Sequence, residues 1–364
     1  MYNEIRSHDD PLNHVGYLIH SDTLPYSFYK SFGQGWMRLS NPNFLRIDVH
    51  HHIAPHEYVK ELNSLGITHA GGAPIQLFDV QQTLELMDRH QIQAAITSIS
   101  SPGVYFGDAT ASAKLARICN EFSAKLIGEY PDRFGAFAVL PLPDVHAALH
   151  EIEYAYDILK LDGFVLMTSY DDIYLGNPRF EEIFQELEKR KAVVFIHPDA
   201  PQNAKNIKIG VPDFTLEFIF DTTRTVTSLI VSGTMERYPS IRFILSHAGG
   251  TVPFAAWRIA RGILAAKGVS PKERISRTEE ITSVMQKFYY DTALSAVPNV
   301  FRSLQELVET SQILFGSDYP FANEDVTHFT INGINGYEGF TEKDREKIHW
   351  KNAAALFPRV QMQR

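Results

Sequence analysis

The 364-residue chain predicts an α/β fold, a distorted (β/α)8 barrel of TIM type with an N-terminal arm. Three observations predict it. Eight short runs rich in β-branched and aromatic residues recur along the chain, longer amphipathic stretches separate them, and most of the runs are apolar throughout rather than alternating. A continuously apolar strand is one buried on both faces, as in a parallel sheet covered by helices.

The runs are FLRIDVH at 44–50, QAAITSIS at 93–100, FGAFAVL at 134–140, DGFVLMT at 162–168, AVVFIH at 192–197, IRFILSH at 241–247, KFYYDTA at 287–293 and ILFGSD at 313–318. Helical patterns lie between them. DVHAALHEIEYAYDILK opens on Asp144, a good N-cap. PRFEEIFQELEKRK has Asn177 as cap and Pro178 at the first helical position. Longer helical segments fill 215–237, 252–266 and 297–311. A doubly wound open sheet would have fewer strands and a glycine-rich phosphate loop after the first; none follows Asp48. Residues 1–43 stand outside the alternation and are too aromatic for a free disordered tail. They are read as an arm, and 44–364 as the barrel domain.

Composition bounds the function. The residues are 44% hydrophobic and 21% charged, as in ordinary globular proteins. A net charge of -9 gives nucleic acid no electrostatic reason to bind. No apolar stretch is long enough to span a bilayer, and the N-terminus lacks the pattern of a secretory signal. With one cysteine, Cys119, in an apolar helical pattern, the chain can form no internal disulfide; a reducing cytoplasm is the expected compartment.

The chemistry gathers at strand ends. In RIDVHHHIAP, His50 and His52 are two apart, so they share a strand face, and His51 points elsewhere. Two imidazoles on one side of a strand end can chelate a divalent ion such as Zn, Mn or Fe. His197 ends the fifth run and His247 the sixth, where Gly249 and Gly250 permit close backbone approach. Asp318 closes the eighth run; a carboxylate after apolar and small residues must be paired, coordinated or protonated. Each residue has a bland reading as a cap or structural group. Together they lie at the C-terminal ends of barrel strands, where TIM-barrel active sites are built. Asp48 is a candidate for orienting the histidines, Asp291 for contacting substrate or His247. Ser98, Ser100 and Ser101 are pocket candidates, and Tyr170, Tyr319 and Phe321 would suit a flat ring.

DVHHHIAP, VVFIHP, FILSHAGGTVPF and LFGSDYPF resemble the signature segments of the amidohydrolase superfamily. More narrowly they resemble its decarboxylase branch, with the aminocarboxymuconate-semialdehyde and 6-methylsalicylate decarboxylases. The resemblance covers about residues 44–357. It implies a distorted (β/α)8 barrel, metal ligands His50, His52, His197 and Asp318, and a role for His247 on the metal's water or on the substrate; for decarboxylation, Asp318, or His247 through water, is the expected catalytic proton donor. Hydrolytic relatives carry a carboxylated lysine after strand four; here that strand ends LMTSY, which favours one metal. The arginine that binds substrate carboxylate in some relatives has no counterpart in 63–78.

The expected function is non-oxidative decarboxylation of a small aromatic or unsaturated acid of salicylate type, with a lactone or cyclic-amide hydrolase as the alternative. The expected cofactor is one divalent ion, Zn2+ with Mn2+ as the alternative, and no organic cofactor. Asp291, Ser100 and Tyr319 are the expected substrate contacts. The expected partners are a small carboxylic acid and a second copy of the chain, with no nucleic acid and no membrane.

Overall fold

The computed structural model describes residues 45–360 apart from 203, 205, 206 and 208; the expected arm at 1–43 lies outside the described residues. Eight parallel strands run β1 Arg46–His52, β2 Ile92–Ser98, β3 Phe134–Val139, β4 Gly163–Met167, β5 Val193–His197, β6 Arg242–Leu245, β7 Tyr289–Asp291 and β8 Ile313–Leu314. They neighbour one another in sequence order. The seam between β8 and β1 is closed by Val49 N–H to Phe315 O (3.0 Å), Asp318 N–H to His50 O (2.8 Å) and His52 N–H to Tyr319 O (2.7 Å). The sheet is therefore the expected barrel. Its strands are buried almost throughout, which is why they read as unbroken apolar runs.

The strands differ from expectation at their ends. β1 runs on to His52, so the paired histidines lie inside a strand. β6, β7 and β8 stop short, and His247 and Asp318 sit in turns beyond them. Both residues have left-handed backbone, with φ of 53° and 63°. Non-glycine residues adopt this rarely, and it recurs at functional sites.

Helices cover the outside. Among them are α1 Val145–Glu153, α2 Glu181–Lys189, α3 Glu217–Val231, α4 Val252–Ala266, α5 Pro298–Leu307 and α6 Glu324–Gly336. Asp144 caps α1 by accepting from Ala147 N–H at 3.0 Å. Asn177 accepts from Arg179 N–H at 3.0 Å, and the chain enters α2 through a 3-10 turn, Pro178–Phe180. The expected helix over 215–237 breaks at Gly233, whose φ of 77° ends α3 in the glycine-favoured region. Cys119 is fully buried in core, as its helical spacing predicts. No described helix is long and apolar enough to cross a membrane.

Candidate metal centre

β1 delivers His50 and His52 to one side of the barrel mouth, and β5 brings His197 across from them. The His50 and His197 ring centroids are 5.4 Å apart. The seam bond from Asp318 N–H to His50 O sets the carboxylate beside the pair. His50 Nε2 lies 2.9 Å from His52 Nε2. Asp318 Oδ1 is 3.0 Å from His50 Nε2 and 3.1 Å from His52 Nε2. One ligand atom from each of His50, His52, His197 and Asp318 falls within 4.8 Å of all the others, and all four residues are buried. Three imidazole nitrogens and a carboxylate oxygen converging at this spacing suit a single divalent transition metal.

Each imidazole is held from behind. His50 Nδ1–H donates to Asp291 Oδ2 at 2.6 Å. His52 Nδ1 pairs with Ser98 Oγ at 3.1 Å, and His197 Nδ1–H donates to Pro198 O at 2.9 Å. With Nδ1 engaged on all three rings, Nε2 is the nitrogen presented to the centre. Asp291 also accepts from the backbone N–H of His247 (2.8 Å) and Ala293 (3.0 Å). One buried carboxylate thus anchors three groups around the centre.

Electrostatics follow from this packing. Burial opposes a charge on His50, but Asp291 and Asp318 outweigh it and raise the imidazole to about 10. Burial holds His52 below the ordinary histidine range against the pull of Asp318. Burial and the neighbouring histidines hold His197 well below it. For Asp318, burial pushes upward, yet His50, His247 and His52 hold the carboxyl well below the usual range.

His247 Nε2 lies 3.5 Å from Asp318 Oδ2, the oxygen turned away from the histidine pair. Its turn depends on two glycines. A Cβ on Gly249 would come within 2.6 Å of the Tyr290 ring, and one on Gly250 within 2.1 Å of Ile219 O.

A cavity of about 610 Å³ opens over the centre, a size usual for small-molecule sites. His197, His247 and Asp318 form part of its lining, and Ser100, Ser101 and Phe321 line it as the sequence suggests. Two expected substrate contacts, Asp291 and Tyr319, are not among the residues that line the cavity. Asp291 is fully buried and does not line the cavity, because both its oxygens are taken up by His50, His247 and Ala293. Tyr319 packs on His51, with ring centroids 5.3 Å apart, and also lies outside the lining. Asp48 does not touch the His50 ring either. It accepts from the backbone N–H of His50 and from Ser317, and pairs with His51, so it ties the β8–β1 seam. Tyr170 is spent on a bond to Met167 N–H. The sequence reading missed Phe214, Phe218, Leu294 and Val300, which line the cavity from outside the strands.

A match to the amidohydrolase family extends over residues 47–359, nearly the whole described chain. The chain belongs to this amidohydrolase family. Its relatives include the 6-methylsalicylic acid decarboxylase of Penicillium expansum, 36% identical over 323 residues, spanning 86% of this chain and 97% of that protein. They also include the γ-resorcylate decarboxylase of a Rhizobium species, 29% identical over 317 residues, spanning 83% and 91%. Among solved structures, a dihydroxybenzoic acid decarboxylase from a Polaromonas species, with bound manganese and 2-nitroresorcinol, shares the fold. Its TM-score is 0.74 at 23% identity, covering 88% of this chain and 98% of that one. In this amidohydrolase, strand β4 is followed by Thr168 and Ser169 rather than lysine, and the Thr168 hydroxyl is engaged by Asp221.

Proposed function

We propose that this amidohydrolase is a metal-dependent, non-oxidative decarboxylase of a salicylate-type aromatic acid. The observation that carries the reading is the full-length similarity to a 6-methylsalicylic acid decarboxylase, joined to a buried centre of three histidines and one aspartate. His50, His52, His197 and Asp318 would hold one divalent ion, zinc by preference and manganese as the alternative. The absence of a lysine after β4 supports one ion rather than a bridged pair. When bound, the ion would supply Lewis-acid stabilisation to the phenolate and carboxylate oxygens of such an acid.

The chain's own residues then have two tasks. No lysine or arginine lines the cavity among the described residues, so besides the ligands the acid group would meet His247 and neutral donors such as Ser100, Ser101 and Asn323. The ring carbon that loses CO2 must first gain a proton, so that the carbon–carbon bonding electrons return to the ring as CO2 departs. Asp318 rests ionised, so a proton it delivers is drawn through His247, whose Nε2 faces Asp318 Oδ2. The balance is one proton taken up and one CO2 released per ring. We assign His247 and Asp318 to this transfer.

We further propose that the enzyme is cytoplasmic and a homodimer. Phe254 and Trp257, exposed on α4 at 88% and 58%, support self-association; sedimentation as a monomer at micromolar concentration would contradict it. The function is tested by a CO2-release screen over hydroxybenzoates, with lactones and cyclic amides as controls. The reading expects CO2 from at least one acid and no hydrolysis. Hydrolysis without CO2 release would replace it with the hydrolase.

A further inference from the structure

The loop after β7 holds a leucine where its backbone suits another residue. Ser295 N–H donates to Thr292 O at 3.1 Å, which places Leu294 third in a tight turn with φ of 52°. That position favours glycine or asparagine, because a Cβ is crowded there. Nor does the side chain stabilise the core, since Leu294 is 51% exposed. A strained backbone and a half-exposed large apolar side chain are two costs with no return in folding. The loop is not loose. Asp291, three residues earlier, accepts from Ala293 N–H while it holds His50, so the turn is fixed relative to the metal centre.

What Leu294 does is line the cavity. Phe214, Phe218, Val300 and Phe321 join it there from other segments, giving an apolar surface around the polar centre. We propose that Leu294 is a specificity-determining residue that packs on an apolar ring substituent. The substrate class is then an alkyl-bearing 2-hydroxybenzoate rather than a dihydroxybenzoate. This rests on the decarboxylase reading and narrows it. An alkyl group seated on Leu294 would bury the exposed side chain, while a hydroxyl packed against it would lose water and gain no hydrogen bond from the leucine itself.

The test compares wild type, Leu294→Asn and Leu294→Met on salicylate, 6-methylsalicylate and 2,6-dihydroxybenzoate, by CO2 release. Asparagine tolerates the turn, so thermal stability should hold or rise; methionine keeps the apolar surface. Wild type should favour the methyl acid over the dihydroxy acid. In Leu294→Asn, kcat/KM for 6-methylsalicylate should fall about tenfold, chiefly through KM, with salicylate changed less than about twofold. Leu294→Met should stay near wild type. An equal loss on all three acids, or no loss on any, overturns the role of Leu294 while leaving the decarboxylase intact. No CO2 from any acid with wild type removes that reading and the inference together.

Discussion

Asp291 Oδ2 lies 2.6 Å from His50 Nδ1, with both residues fully buried, although they are 241 positions apart in the chain. This contact orients the imidazole between β1 and β7 and raises its basicity. Removing such a partner typically weakens metal binding about 10- to 100-fold. Asp291→Asn should do so, and should also weaken the anchor on His247. Metal titration of the variant checks it; wild-type affinity would show that His50 needs no support.

Metal uptake should release protons. In the metal-free centre His50 is raised to about 10, so at neutral pH it is protonated and must give up that proton to become a ligand. His52 and His197 are lowered and stand ready as neutral donors. Because the bound state holds fewer protons, affinity should rise as pH rises. We expect about one proton released per ion near neutral pH, and affinity rising about tenfold per pH unit below 10. Calorimetry in buffers of different ionisation enthalpy measures the proton count; a count of zero contradicts the assignment.

Gly316, two residues beyond β8, lets the chain pass close to this pair. A Cβ there would stand 2.8 Å from His50 Cβ and 3.2 Å from Asp291 Cβ. Gly316→Ala should destabilise the fold by about 1–3 kcal/mol through overpacking, and lower metal occupancy as well. Denaturant melts with metal analysis separate the two effects. Unchanged stability and full occupancy would show that the strands can part without cost.

His247 and Asp318 should separate by metal content. His247→Asn should keep the ion and lose about 10²–10⁴-fold in kcat, the usual contribution of a positioned acid or base. Asp318→Asn should lose both activity and much of the ion. A His247 variant with wild-type kcat would remove it from proton transfer.

Much of the barrel was legible because burial on both faces leaves a plain trace in β1 to β6. The four residues that converge at the centre stood out for the same reason: polar residues ending apolar runs are costly unless used. What escaped depends on contacts made across the closed barrel. Asp48 lies two residues before His50 in sequence and Asp291 has no histidine near it, so sequence proximity points to the wrong acid. The seam bonds decide that Asp48 serves Ser317 and His51 and that Asp291 serves His50. The left-handed turns at His247 and Asp318 escaped because a non-glycine residue adopts positive φ in only a few per cent of cases, even where its type is enriched there. The cavity walls escaped because Phe214, Leu294 and Val300 lie in loops or helices, whose apolar residues follow no strand period.

The most direct test of the central claim is metal content, by mass spectrometry, of wild type and His197→Ala. His197 reaches the centre from β5, across from the β1 pair, so its loss leaves an incomplete ligand set. The account predicts about one equivalent of zinc or manganese in wild type and a large loss in the variant, with the fold intact by circular dichroism. Equal metal in both proteins, or none in wild type after reconstitution, would contradict it.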